Sequence, residues 1–188
     1  MRFFGRALAD SGLRVIRFEF PFMQKMASSG RRRPPDREPV LKASCVSTIE
    51  EVLRRGTDAS RLVIGGKSMG GRMASMVAEQ CGTAGLVCLG YPFHPPGNPG
   101  NLRTEHLLSL SVPTLICQGT RDPFGSLNEV TEYGLSSAID IRWIEDGEHS
   151  FKPRQQSGRT LEQNLQQAAD AVVAFTKGLT TRASESDG

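Results

Sequence analysis

The sequence predicts an α/β protein of three layers, α/β/α, around a mostly parallel sheet of about five strands. Two observations carry this. Short apolar runs alternate with amphipathic stretches along most of the chain, the pattern of parallel strands joined by helical crossovers. The 188 residues show no internal repeat and suit one domain.

The elements follow in order. Residues 1–11 read as a helix, with Phe3, Phe4, Ala7 and Leu8 at helical spacing and Gly12 as its stop. Residues 13–20 (LRVIRFEF) read as the first strand. Residues 21–38 read as a polar loop holding Ser28, Ser29, Gly30, Arg31, Arg32, Arg33, Pro34 and Pro35. Pro39 can open the next helix, with Val40, Val46, Ile49, Val52 and Leu53 on its apolar face. Residues 61–66 (RLVIGG) form a second strand, residues 69–81 a helix of small residues, and residues 84–89 (AGLVCL) a third strand. A Pro/Gly-rich loop over 90–102 leads to a short helix around 104–110. Residues 113–119 (PTLICQG) and 139–144 are the last two strands, with a helix near 126–134 between them. The final helix covers about 160–177, with Leu161, Leu165, Ala169, Val172, Val173 and Phe175 inward. This leaves one domain over 1–178 and a polar, disordered tail over 179–188. In an open sheet of this kind, ligands bind beyond the carboxyl ends of the strands.

Composition narrows the function. Hydrophobic residues at 38 % and charged residues at 23 % place the chain outside the disordered class. A net charge of +3 is too small to make nucleic acid the main partner. No apolar run approaches the roughly 18 residues of a membrane span, and the first residues lack the apolar core of a secretory signal. Cys45, Cys81, Cys88 and Cys117 form no C-x-x-C, so neither a zinc site nor a redox pair is indicated. Cys88 and Cys117 sit in apolar runs, where a thiol packs as a small hydrophobe. A reducing, cytoplasmic setting follows.

One motif carries chemistry. Gly66-Lys67-Ser68-Met69-Gly70 matches G-x-S-x-G and lies between an apolar strand and a helix, the context of a nucleophile elbow. Side chains at positions 66 and 70 are expected to collide with backbone in so tight a turn, which glycine avoids. Gly71 and Ala74 let the helix approach the sheet. A neutral serine needs a base, and the base needs an orienting acid. Asp122, in GTRDPFG, follows the fourth strand, and His149, in GEHSF, follows the fifth. The order Ser68, Asp122, His149 suits attack by Ser68, proton transfer through His149 and orientation by Asp122. The Met69 N–H is the expected oxyanion donor. Asp140, Glu145, Asp146 and Glu148 are competing acids. Lys67 and His94 are candidate substrate contacts, Lys67 through its charge and His94 from the loop YPFHPP. The expected partner is a small acyl substrate, with no metal, organic cofactor, nucleic acid or membrane required.

These residues resemble the α/β-hydrolase superfamily, near its dienelactone-hydrolase-like branch. The segments LRVIRFEFPFM (13–23), GGKSMGGR (65–72), LGYPFHPP (89–96), GTRDPFG (119–125) and GEHSF (147–151) carry a closer likeness. They are similar to the hydrolase-like family that includes testis-expressed protein 30 and a domain of a subunit of the nonspecific-lethal chromatin acetyltransferase complex. The likeness covers about residues 1–178 and implies a serine nucleophile where true dienelactone hydrolases use cysteine.

It also implies a departure. Family members carry three further N-terminal strands and a His-Gly-x-Gly-type loop that supplies a second oxyanion N–H. One of those strands lies between the segments matching 13–20 and 61–66. The sequence reading therefore expects an N-terminally truncated fold, with Met1 an internal methionine of a longer protein in preference to a genuinely short chain. Loss of one oxyanion donor costs roughly 10²–10³ in rate.

The leading expectation is a serine hydrolase of an ester, thioester or small amide, acting through an acyl-enzyme. A catalytically silent hydrolase-fold interaction module is the alternative. A nucleic-acid role through Arg31, Arg32, Arg33 and Arg37 is weaker, because a solvated loop accounts for that run.

Overall fold

The computed structural model describes residues 1–186, with side chains through 179. Its helices are α1 (Arg2–Asp10), α2 (Pro21–Ser29), α3 (Glu38–Arg54), α4 (Met69–Ser75), α5 (Leu127–Val130) and α6 (Leu161–Ser186). Its strands are β1 (Val63–Lys67), β2 (Gly85–Leu89), β3 (Thr114–Gly119) and β4 (Ile139–Ile144). All four strands pair in parallel, and their spatial order is their chain order. Every carboxyl end therefore points to one rim of the sheet.

Strand alternation sorts the core into two layers. Leu86, Cys88 and Ile116 pack with Ala74 and Ala78 of the α4 side and with Tyr91 and Phe93. Val87, Leu89, Leu115 and Cys117 point the other way, onto Phe4 of α1 and Ala168, Ala169 and Val172 of α6. A third cluster joins α2, α3 and α4 through Phe22, Leu41, Cys45, Ile49 and Met73. With both faces covered, every residue of β2 and β3 is buried, which is why their sequences read as unbroken apolar runs.

The structure corrects the expected strand count. Residues 13–20 enter no ladder, so the sheet has four described strands instead of five. A strand is made by hydrogen bonds to a neighbour, and β1 pairs with β2 alone. Left without a ladder, the segment exposes Ile16 and Phe18. The second correction is α2, which occupies the start of the expected 21–38 loop. Pro21 is tolerated at the first helical position, and Gly30 ends the helix in a left-handed cap at φ 66°. Phe22 anchors it in the core.

The helix expected over 69–81 stops at Ser75 and continues as turns. The helix expected around 104–110 is a single 3₁₀ turn, Glu105–Leu107. The last helix runs past the expected end at 177 to Ser186. Of the expected tail over 179–188, residues 187 and 188 lie outside the described residues.

Candidate active site

The site begins where β1 turns into α4. Ser68 is the N-cap of α4 and holds φ 52°, ψ −119°, a combination rare for any residue with a Cβ. Its N–H donates to the Leu89 carbonyl at 3.0 Å, pinning the turn to the end of β2. The turn is tight because glycine lets it be. A Cβ on Gly66 would stand 2.8 Å from the Gly70 carbonyl carbon. A Cβ on Gly71 would stand 2.8 Å from the Gly66 carbonyl oxygen. Gly70 faces open space, so the steric need expected at position 70 falls on position 71 instead.

The loops after β3 and β4 bring the other two residues to Ser68. Thr120 N–H donates to Ile144 O at 3.1 Å and Arg121 N–H to Gly147 O at 3.0 Å, which fastens the two loops together. Asp122 is fully buried at their junction. His149 Nδ1 lies 2.9 Å from Asp122 Oδ2, and His149 Nε2 lies 2.8 Å from Ser68 Oγ. With Asp122 ionised, Nδ1 carries the proton and donates it to the carboxylate, leaving Nε2 to accept from the serine hydroxyl. The second oxygen of Asp122, Oδ1, accepts from Phe124 N–H at 2.9 Å. The Phe124 ring covers the imidazole at a centroid separation of 4.2 Å. A base within hydrogen-bond reach of a hydroxyl, itself held by a buried acid, is the arrangement that activates a serine.

Strain gathers at this rim. The non-glycine residues with positive φ among those described are Ser68, Asp146 and Phe151, and the last two bracket His149. Asp146 is held by two guanidiniums. Arg154 donates to it from both backbone and side chain, and Arg121 Nε lies 2.9 Å from Oδ1. The Arg154 hydrogen bonds, with Arg121 nearby, hold the Asp146 carboxyl down to about 2. Asp146 is thus committed to the arginines, while Glu148 accepts from the Ser150 and Lys152 N–H groups. Asp122 is the acid that meets His149.

Two expected substrate contacts are placed otherwise. Lys67 Nζ donates to the His149 carbonyl at 3.0 Å and to Ser150 Oγ at 3.3 Å, clamping the elbow to the histidine loop. Burial pushes its ammonium below the usual lysine range. His94 is 2 % exposed, which removes it from any solute-facing wall. Its Nδ1 meets Pro95 O at 2.9 Å, and its Nε2 lies 3.5 Å from the Glu129 carboxylate. The Met69 N–H opens the first turn of α4, among the amides that a helix start leaves without an intrahelical acceptor.

The sequence reading passed over Gln118, which is fully buried beside Asp122. Its signal was present: a lone amide in the otherwise apolar run PTLICQG, four residues before the acid.

Comparison with known proteins agrees with this fold. The profile of the alpha/beta hydrolase domain family matches residues 1–177, and the chain belongs to that family. An alpha-beta serine hydrolase homologue from Coxiella burnetii superposes with a TM-score of 0.66 at 18 % identity, over 92 % of this chain and 74 % of its own. The esterase domain of a Rhodothermus marinus protein superposes with a TM-score of 0.57 at 14 % identity, over 94 % and 78 %. At such identities the likeness is one of fold. No described helix is long and apolar enough to cross a membrane.

Proposed function

We propose that the chain is a serine hydrolase that cleaves an ester, thioester or small amide of a small acyl substrate. The observation that carries this is the hydrogen-bonded line from Ser68 Oγ through His149 to the buried Asp122. Ser68 Oγ attacks the acyl carbon while its proton passes to His149 Nε2. Asp122 Oδ2 holds the imidazole and stabilises its cationic form. The Met69 N–H donates to the oxyanion. The scissile bond breaks as His149 returns the proton to the leaving oxygen, sulfur or nitrogen. Water, deprotonated by the same imidazole, then releases the acid and restores the serine.

The motifs GKSMGGR, GYPFHPP and GTRDPFG support placement within the hydrolase family near testis-expressed protein 30, on the dienelactone-hydrolase-like branch. The four free cysteines support a reducing, cytoplasmic compartment. A silent interaction module is the second reading, favoured by the exposed Ile16 and Phe18 on the unpaired segment.

Intact-mass spectrometry after mixing with activated acyl esters of graded chain length tests the proposal. An acyl adduct that maps to Ser68 and decays with release of the acid is the expected result. A folded protein that acquires no adduct from any ester, thioester or anilide contradicts it.

A further inference from the structure

Gln118 stands at the end of β3 with no exposed surface. A buried amide must place its hydrogen bonds or cost stability, and this one places them on two loops, the one after β2 and the one after β3. Oε1 accepts from the Tyr91 N–H at 2.8 Å. Nε2 lies 3.0 Å from Asp122 Oδ2, 3.0 Å from Gly125 O and 3.2 Å from Tyr91 O. Its two hydrogens serve three acceptors, so one is shared. The partners also fix which way the amide points. Turned over, it would set an oxygen against three acceptors and an N–H against an N–H.

Asp122 Oδ2 is therefore held from two sides, by His149 Nδ1 and by Gln118 Nε2. The same amide holds Tyr91, next to Gly90. That glycine leans on the histidine loop: a Cβ there would stand 2.9 Å from His149 O. We propose that Gln118 is a positioning residue for the triad, fixing the acid's oxygen and, through Tyr91, the strap behind the imidazole. The proposal rests on the reading of Ser68, His149 and Asp122 as a hydrolase triad. Gln118 touches no reacting atom and acts through Asp122.

Gln118→Glu separates the two roles of the amide. It keeps an oxygen for the Tyr91 N–H and replaces the two-hydrogen donor facing Asp122, Gly125 O and Tyr91 O by a carboxyl oxygen that carries at most one proton. The test uses the full chain with a fluorophosphonate probe, below the melting midpoints of all variants. Wild type labels at Ser68 and shows a downfield proton resonance for His149 Nδ1–H, absent from His149→Ala. Gln118→Glu labels about ten- to a hundredfold more slowly, and its Nδ1–H resonance shifts or vanishes. Wild-type labelling rate and an unchanged resonance in a folded Gln118→Glu overturn the proposal.

A second measurement stands even if that variant fails to fold. In the wild-type protein, an amide proton of Gln118 gives a nuclear Overhauser contact with His149 Nδ1–H, because both face one oxygen. Absence of that contact, with both protons assigned, overturns the proposal. Failure of wild type to label while the contact is present removes the hydrolase reading, and the positioning role of Gln118 with it, but leaves the measured geometry standing.

Discussion

Gly66 and Gly71 occupy each other's side-chain space. A Cβ on Gly71 would stand 2.8 Å from Gly66 O, and a Cβ on Gly66 would stand 3.0 Å from Gly71 N. The elbow that presents Ser68 exists because neither residue has a side chain. Gly66→Ala meets backbone on the far side and cannot relax by turning a rotamer. It should destabilise by about 1–3 kcal/mol. Gly70→Ala enters open space within a helix and should stabilise by about 0.4–1 kcal/mol. Urea denaturation of the two variants, shifted in opposite directions, checks the pair.

The acid is specified by contact with the imidazole. Asp122→Asn keeps the shape but presents an amide that can hold the imidazole in the wrong tautomer. Hydrolysis should fall by about 10⁴, the loss known for that change in a serine triad. Asp140→Asn on β4 and Glu148→Gln, whose acids do not meet His149, should retain most of the activity. The same ester assay on all three variants decides it.

Lys67 clamps the histidine loop through the His149 carbonyl. Lys67→Met keeps the stem and removes the donor. A base displaced by about 1 Å costs up to about 10² in rate, so labelling of Ser68 should slow within that limit. Circular dichroism should remain that of the wild type. An unchanged labelling rate would show that the loop holds His149 without the clamp.

Asp146 links folding to pH. Its carboxyl is held near 2 in the folded chain and returns to about 3.9 when unfolded. A group depressed by folding adds stability that is fully present above the unfolded value and is lost as pH falls through the folded one. The gap in urea midpoint between wild type and Asp146→Asn should be constant above about pH 5, then close between about pH 4 and 2. A gap that persists at pH 2 would place its origin elsewhere.

The thiols should react in an order set by burial. Cys88 and Cys117 are buried, and burial pushes the Cys117 thiol up to about 12 and the Cys88 thiol higher still. Cys45 is pushed up to about 11, chiefly by burial. Cys81 is the partly exposed one. A thiol reagent should modify Cys81 first and the other three only in denaturant.

The sequence made this site legible because its chemistry is written in short local signals. GKSMG between a strand and a helix announces the elbow, and aspartate and histidine at successive carboxyl ends announce their meeting at the rim. The contacts between rim loops were not legible. Lys67 reads as a cation for substrate until its amine is seen on a carbonyl 82 positions away in the chain. Gln118 reads as part of a strand until its burial shows where its hydrogen bonds go. Residues 13–20 have strand composition, but strand formation depends on a neighbour that composition does not contain. Helix α2 is hidden in the sequence because Ser28, Ser29 and Gly30, which mark its end, carry the same signal as a loop.

The central claim is that Ser68 is activated by His149. Rate-resolved labelling with a fluorophosphonate tests it most directly, on wild type, Ser68→Ala and His149→Ala, each confirmed folded. Labelling that disappears in Ser68→Ala and weakens sharply in His149→Ala is the result this structure predicts. A folded wild type that takes no label, or one that labels equally well without His149, contradicts it.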